Sequence, residues 1–148
     1  MTKKLVLIMD DNDSLRAGIR EILERAGYAV AEAADGREGL AKAESLRPDV
    51  LLLDVLMPEL DGCEVCQRLK TNPPTAHIAV IFVTAVNDDA VHQLAIEAGA
   101  AAYITKPFHL ETLPAVIEAA LAKTDRQPEA KARPGEMDTD RRDSEGQR

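Results

Sequence analysis

Five short apolar runs, each followed by a stretch of helical spacing, succeed one another along residues 5–123, and this alternation constrains the chain more than any other feature. Leu5-Val6-Leu7-Ile8-Met9 is continuously apolar, as expected of a strand covered on both faces. Leu15, Ile19, Ile22, Leu23 and Ala26 then follow helical spacing, with Asn12 or Asp13 placed to cap the start and Gly27 the end. A weaker strand over 29–33 leads to a helix over 36–46 that stops before Pro48. The most apolar strand, 50–53, ends at Asp54 and is followed by a helix over about 62–70, halted by Pro73 and Pro74. A fourth strand over 79–83 ends at Thr84; a helix over about 88–98 closes at Gly99; a fifth strand, 102–105, precedes a last helix reaching Lys123. Alternating βα units of this kind predict an α/β domain: a doubly wound (βα)5 parallel sheet with right-handed crossovers and helices on both faces.

One domain of residues 1–123 accounts for the patterned part of the 148-residue chain. Residues 124–148 are different: 13 of these 25 are charged, and Pro128, Pro134 and Gly135 interrupt any helix, so a polar, disordered tail is expected there. The net charge of −8 argues against direct nucleic-acid binding, and the four aromatics, Tyr28, Phe82, Tyr103 and Phe108, are too scattered for a base-stacking platform. No apolar run has the length of a membrane span, and the stretch after Lys3 and Lys4 is too short for a secretory signal, so a cytoplasmic protein without membrane insertion is expected.

In such sheets ligands collect beyond the carboxyl ends of the strands, near a reversal of strand order. There the sequence places Asp10 and Asp11, Asp54, Thr84, and Lys106-Pro107. Carboxylates brought to one edge repel one another, and a hard divalent cation such as Mg2+ is the natural compensation, with Lys106 adding a fixed positive charge. No serine–histidine or cysteine–histidine pair accompanies them; the set suits an incoming phosphoryl group, whose oxygens metal and ammonium neutralise while a carboxylate attacks.

Four separated motifs carry a resemblance: Met9-Asp10-Asp11, Leu53-Asp54-Val55-Leu56-Met57-Pro58 with Asp61-Gly62, Val83-Thr84-Ala85, and Tyr103-Ile104-Thr105-Lys106-Pro107-Phe108. Together they resemble the signature of response-regulator receiver domains of two-component systems, similar to the stand-alone chemotaxis type, over residues 4–123. The resemblance implies a flavodoxin-like sheet of order 2-1-3-4-5. It implies Asp54 as the phosphoacceptor for a histidine kinase or phosphotransfer protein, Asp11 as a direct Mg2+ ligand, Asp10 as a ligand through water, and the Leu56 carbonyl as a third protein oxygen. Lys106 would pair with the phosphoryl oxygens and the Thr84 hydroxyl would bond one of them. Tyr103 would be the switch aromatic that turns inward with Thr84, and the Lys106-Pro107 bond would be cis. The expected product is a signalling phosphoacceptor that switches binding of a downstream protein, not an enzyme of small-molecule turnover.

Alternatives attach to specific residues. A receiver cut from a larger regulator or hybrid kinase would share all these features. A Mg2+-dependent phosphohydrolase working through an aspartyl phosphate would want a second acid two residues after the nucleophile, where this chain has Leu56. Cys63 and Cys66 form a C-x-x-C, but their spacing puts both on one helical face with Leu69, which favours core packing over a redox pair. His77, His92 and His109 lack metal-ligand spacing and are expected to be structural or exposed. Pro114 would break a helix begun at Leu110, so a delayed or distorted start is expected, with Thr112 as cap. The last helix carries Glu111, Glu118 and Lys123 but no arginine, so the switch-face charge network that the resemblance implies for dimerising regulators of this family is missing, and a monomer or weak dimer is expected.

Overall fold

The apolar runs become the strands of one sheet because only a position between two layers of helices covers both of their faces. The structure, a computed structural model, describes residues 3–57, 60–125, 138–144 and 146–147. Strands β1 (Leu5–Met9), β2 (Ala29–Ala33), β3 (Val50–Leu53), β4 (Ala79–Thr84) and β5 (Ala102–Thr105) pair in parallel in the order β2-β1-β3-β4-β5. Between and after them run α1 (Asp13–Arg25), α2 (Gly36–Leu46), α3 (Gly62–Thr71), α4 (Asp89–Glu97) and α5 (Leu113–Asp125). The expected fold and strand order are therefore present.

Alternation along the strands divides the core in two. Leu7, Met9, Leu51, Leu53, Val80 and Phe82 face one way and pack against Ala43 of α2, Val65, Cys66 and Leu69 of α3, and Ala95 of α4. Val6, Ile8, Val50, Leu52, Ile81 and Val83 face the other way, against Ile19 and Leu23 of α1 and Leu113, Ile117 and Ala120 of α5. β3 and β4 are buried throughout and β1 from Val6 onward, which is why these stretches read as apolar runs.

Helix boundaries follow local chemistry. Asn12 caps α1, its side chain accepting from the Leu15 amide at 2.9 Å, and Gly27 takes φ +100° just beyond the helix end, where a side chain would be strained. Before α5, Leu110–Thr112 forms a 3-10 turn and the α-helix begins at Leu113, so Pro114 falls in its first turn, where a missing N–H costs nothing. The delayed start is as expected. The assigned cap is not: the Thr112 hydroxyl donates back to the His109 carbonyl at 2.7 Å, the same oxygen on which the Thr112 amide closes the 3-10 turn at 3.0 Å.

Thr124 and Asp125 complete α5, two residues past the expected boundary. Within the tail expected to be disordered, residues 126–137, 145 and 148 lie outside the described residues. Residues 138–144 and 146–147 are short strands paired with each other in a ladder separate from the main sheet. Among the described residues no helix is long and apolar enough to cross a membrane.

One ion-pair cluster ties α1 to β2. Glu32 accepts from Arg16 Nε at 3.0 Å and from Arg20 Nη1, and its side chain is only 28% exposed. The Arg20 hydrogen bond, together with that of Arg16 and both charges, outweighs burial and holds Glu32 below the ordinary glutamate range. A depressed carboxylate pKa stabilises the fold above the unfolded-state value and ceases to as pH falls through the folded-state value. Glu32→Gln is therefore expected to cost about 1–2 kcal/mol at pH 7. The difference from wild type should shrink on acidification below the ordinary glutamate range, read by urea denaturation across pH.

Candidate functional site

Parallel register carries the acids to one place. Met9 of β1 sits opposite Leu53 of β3, so the next residues, Asp10 and Asp54, leave the sheet side by side, and the Asp54 amide donates to the Met9 carbonyl at 3.1 Å. β1 has β2 on one side and β3 on the other, so this is the reversal of strand order where such sheets open a crevice. Asp10, Asp11 and Asp54 each offer a carboxylate oxygen, and the three oxygens lie within 4.8 Å of one another. Asp10 and Asp54 are buried, at 3% and 7% exposure, while Asp11 is exposed.

Lys106 leaves β5, and its ammonium lies 2.8 Å from Asp10 Oδ2 and 3.0 Å from Asp54 Oδ2. Burial works against its charge, but hydrogen bonds to Asp10 and Asp54, and the charges of both, outweigh burial and raise its pKa. Three carboxylates thus face one ammonium, and the donor set is hard oxygen with one exposed acid at its mouth. That composition fits Mg2+, with Asp10, Asp11 and Asp54 as the residues to hold it.

The remaining expected residues are distributed around this cluster. Thr84 ends β4, fully buried; its hydroxyl accepts from the Val86 amide at 3.3 Å, and its carbonyl accepts from the Lys106 amide at 2.8 Å. The Lys106-Pro107 bond is cis. Tyr103 is half-buried and donates to the Val86 carbonyl at 2.7 Å, so it is tied to the same loop as Thr84. Leu56 lies in a two-residue strand, Leu56–Met57, paired antiparallel with Leu60–Asp61, a ladder not anticipated from the sequence. Gly62 begins α3 against the segment that follows β3: a Cβ there would lie 2.7 Å from the Val55 Cα and 2.8 Å from the Asp54 carbonyl oxygen.

Contacts of two residues near the site were not anticipated from the sequence. His92 was expected to be structural or exposed; it is exposed, and its ring stacks on Tyr103 with centroids 4.5 Å apart, while the Phe82 and Tyr103 ring centroids lie 6.0 Å apart. Arg16 reaches the Asp10 backbone, and its only sequence signal was a basic residue one turn into the helix after the acidic pair. Cys63 and Cys66 are free thiols. Burial pushes Cys66 up to about 11 and raises Cys63 as well, and the Cys66 thiol donates to the Ala98 carbonyl. Core packing of Cys66 is what the helical face implied.

The family model for the response regulator receiver domain matches residues 6–118. The chain belongs to the response-regulator receiver family, and so is a receiver domain of a two-component response regulator. It is 41% identical over 125 residues to the "DNA-binding dual master transcriptional regulator RpaA" of Synechocystis, covering 84% of this chain and 52% of that protein. It is 39% identical over 147 residues to the "Alkaline phosphatase synthesis transcriptional regulatory protein PhoP" of Bacillus subtilis, covering 99% and 58%. The chain thus spans about half the length of these curated relatives. Among solved structures, a CheY-like receiver domain protein from Methanospirillum hungatei matches with TM-score 0.78 and 31% identity, covering 85% of this chain and 99% of that one. A chemotaxis response regulator of Vibrio cholerae matches with TM-score 0.75 and 34% identity, covering 80% and 99%.

Two outcomes follow from the packing. Because the atoms facing Gly62 are backbone, Gly62→Ala must shift the Asp54–Val55 segment; a loss of about 1–3 kcal/mol in urea denaturation is expected. Because the thiolate is disfavoured at both cysteines, mild oxidant on the native protein is expected to leave two free thiols by titration.

Proposed function

We propose that this receiver accepts a phosphoryl group on Asp54 from the phosphohistidine of a histidine kinase or phosphotransfer protein, with Mg2+ bound, and that the change alters binding of a downstream protein. The observation that carries this reading is the buried Asp54 carboxylate paired with Lys106, beside Asp10 and Asp11, at the reversal of strand order.

The chemistry follows from charge and position. An Asp54 carboxylate oxygen forms a bond to phosphorus as the phosphorus–nitrogen bond of the phosphohistidine breaks. The electron pair of that bond stays on the imidazole nitrogen, which takes up a proton. Lys106, already bonded to Asp54 Oδ2, can follow the phosphoryl oxygens as they arrive. Mg2+, when bound, supplies the positive charge that one ammonium cannot supply against three acids. Thr84 holds a hydroxyl at the end of the neighbouring strand, and moving it toward the phosphoryl group would release the Val86 amide it now binds. That release would reach Tyr103, which is bonded to the Val86 carbonyl.

Two settings for such a receiver have support. The curated relatives are transcriptional regulators about twice this length, which supports a role as the phosphorylation-controlled part of a larger regulator. The solved receivers, matched over 99% of their own length, support the stand-alone reading. In either setting the net charge of −8 over the chain favours a protein partner over direct contact of the receiver with nucleic acid.

Incubation with acetyl phosphate and Mg2+, followed by intact mass measurement, is expected to add one phosphoryl group to the wild type and none to Asp54→Ala. Equal labelling of the two proteins would remove the assignment.

A further inference from the structure

Asp10 and Asp11 share the site but are held in opposite ways. Every polar group of Asp10 is engaged: its amide donates to the Ala33 carbonyl at 3.2 Å, its Oδ1 accepts from the Asn12 amide at 2.9 Å, its Oδ2 accepts from Lys106, and its carbonyl accepts from Arg16 Nη1 at 2.6 Å. Asp11 is exposed, so packing does not lock it. The peptide plane leading into Asp11 is held instead, because the Asp10 carbonyl and the Asp11 amide belong to one rigid unit.

Arg16 holds that plane. Its side chain is 13% exposed and its guanidinium uses three nitrogens at once: Nη1 on the Asp10 carbonyl, Nε on Glu32 at 3.0 Å, and Nη2 on Asp13. Glu32 is itself fixed by Arg20 Nη1, and Arg20 Nη2 donates to the Val30 carbonyl at 3.0 Å. The strap therefore runs from β2, through Glu32 and Arg16, to the turn that carries both acids.

Resting on the Mg2+-assisted reading of the site given above, we propose that Arg16 is a positioning residue for cation binding: it sets the Asp10–Asp11 peptide so that the Asp11 carboxylate meets the ion held by the other acids. A charge-only role predicts the opposite sign. Arg16 is a cation near an acidic cluster, and its removal also leaves Glu32 and Asp13 less compensated. By Coulomb's law alone, Arg16→Met should tighten Mg2+ binding. If Arg16 positions the turn, the same substitution should weaken it about tenfold or more, as loss of a partner behind a metal ligand does.

The test is a Mg2+ titration followed by amide chemical shifts of Asp11 and Asn12, on wild type, Arg16→Met, Arg16→Lys and Arg25→Met. Arg25, paired with Glu21 at the far end of α1, serves as the control for loss of a helix charge and should leave affinity unchanged. Arg16→Lys keeps the charge and the helix but lacks the three-way fork, so it should bind Mg2+ several-fold more weakly than wild type even if Arg16→Met fails to fold. Wild-type affinity in Arg16→Lys, or unchanged or tighter binding by Arg16→Met, overturns the proposal while leaving the site reading intact. Absence of any Mg2+ response in the wild type would instead remove the site reading, and this inference with it.

Discussion

Lys106 spans the sheet edge from β5 to reach acids on β1 and β3, and the geometry of the site depends on that one ammonium. Two buried carboxylates at neighbouring strand ends would repel and splay if left to themselves. The ammonium between them turns repulsion into a shared pair of hydrogen bonds and fixes one oxygen of each. It reaches past β4, and it can do so because the Lys106 amide is tied to the Thr84 carbonyl, which holds the end of β5 against the end of β4. The backbone hydrogen bond places the side chain, and the side chain gathers the acids.

The sheet and the residues at its edge were legible because they rest on rules of period and position, whereas the strand order was implied only by the resemblance of the four motifs to receiver domains. A run such as Val50 to Leu53, buried on both faces, can only be a central strand, and the residue after it must then stand at the carboxyl edge. Pro114 was equally legible, since its missing N–H is tolerated only in a first turn. The 3-10 turn before it was not, because the choice between Thr112 as cap and Thr112 as donor to His109 turns on a single rotamer. The short ladder Leu56–Met57 with Leu60–Asp61 was invisible for a related reason: two residues are too few to show a period.

The contacts that escaped notice are those made by long side chains across elements. Arg16 reads as the polar face of α1, and nothing in its spacing says that its guanidinium turns back to the Asp10 carbonyl. His92 reads as a surface residue, and it is exposed, yet its ring lies on Tyr103. Both contacts depend on how α1 and α4 sit against strand ends distant in sequence, which local pattern does not encode. The result is a contiguous set running from Thr84 through Val86 and Tyr103 to α4, where Leu94 and Ile96 are exposed to solvent.

Buried acids are costly, and the rest of the fold makes them tolerable. Taking a carboxylate out of water costs several kcal/mol unless partners restore what hydration supplied, so Asp10 and Asp54 add little or nothing to stability even with Lys106 between them. The strands behind them carry the opposite load: Leu7, Leu51, Leu53, Val80 and Phe82 are essentially inaccessible to solvent. Each fully buried side chain of this size contributes about 1.5–3 kcal/mol. A sheet with so much apolar burial at its centre can hold charge at its edge in an arrangement chosen for chemistry. The same division explains the strap at Arg16, since a turn that gains nothing from burial needs hydrogen bonds to keep its acids in place.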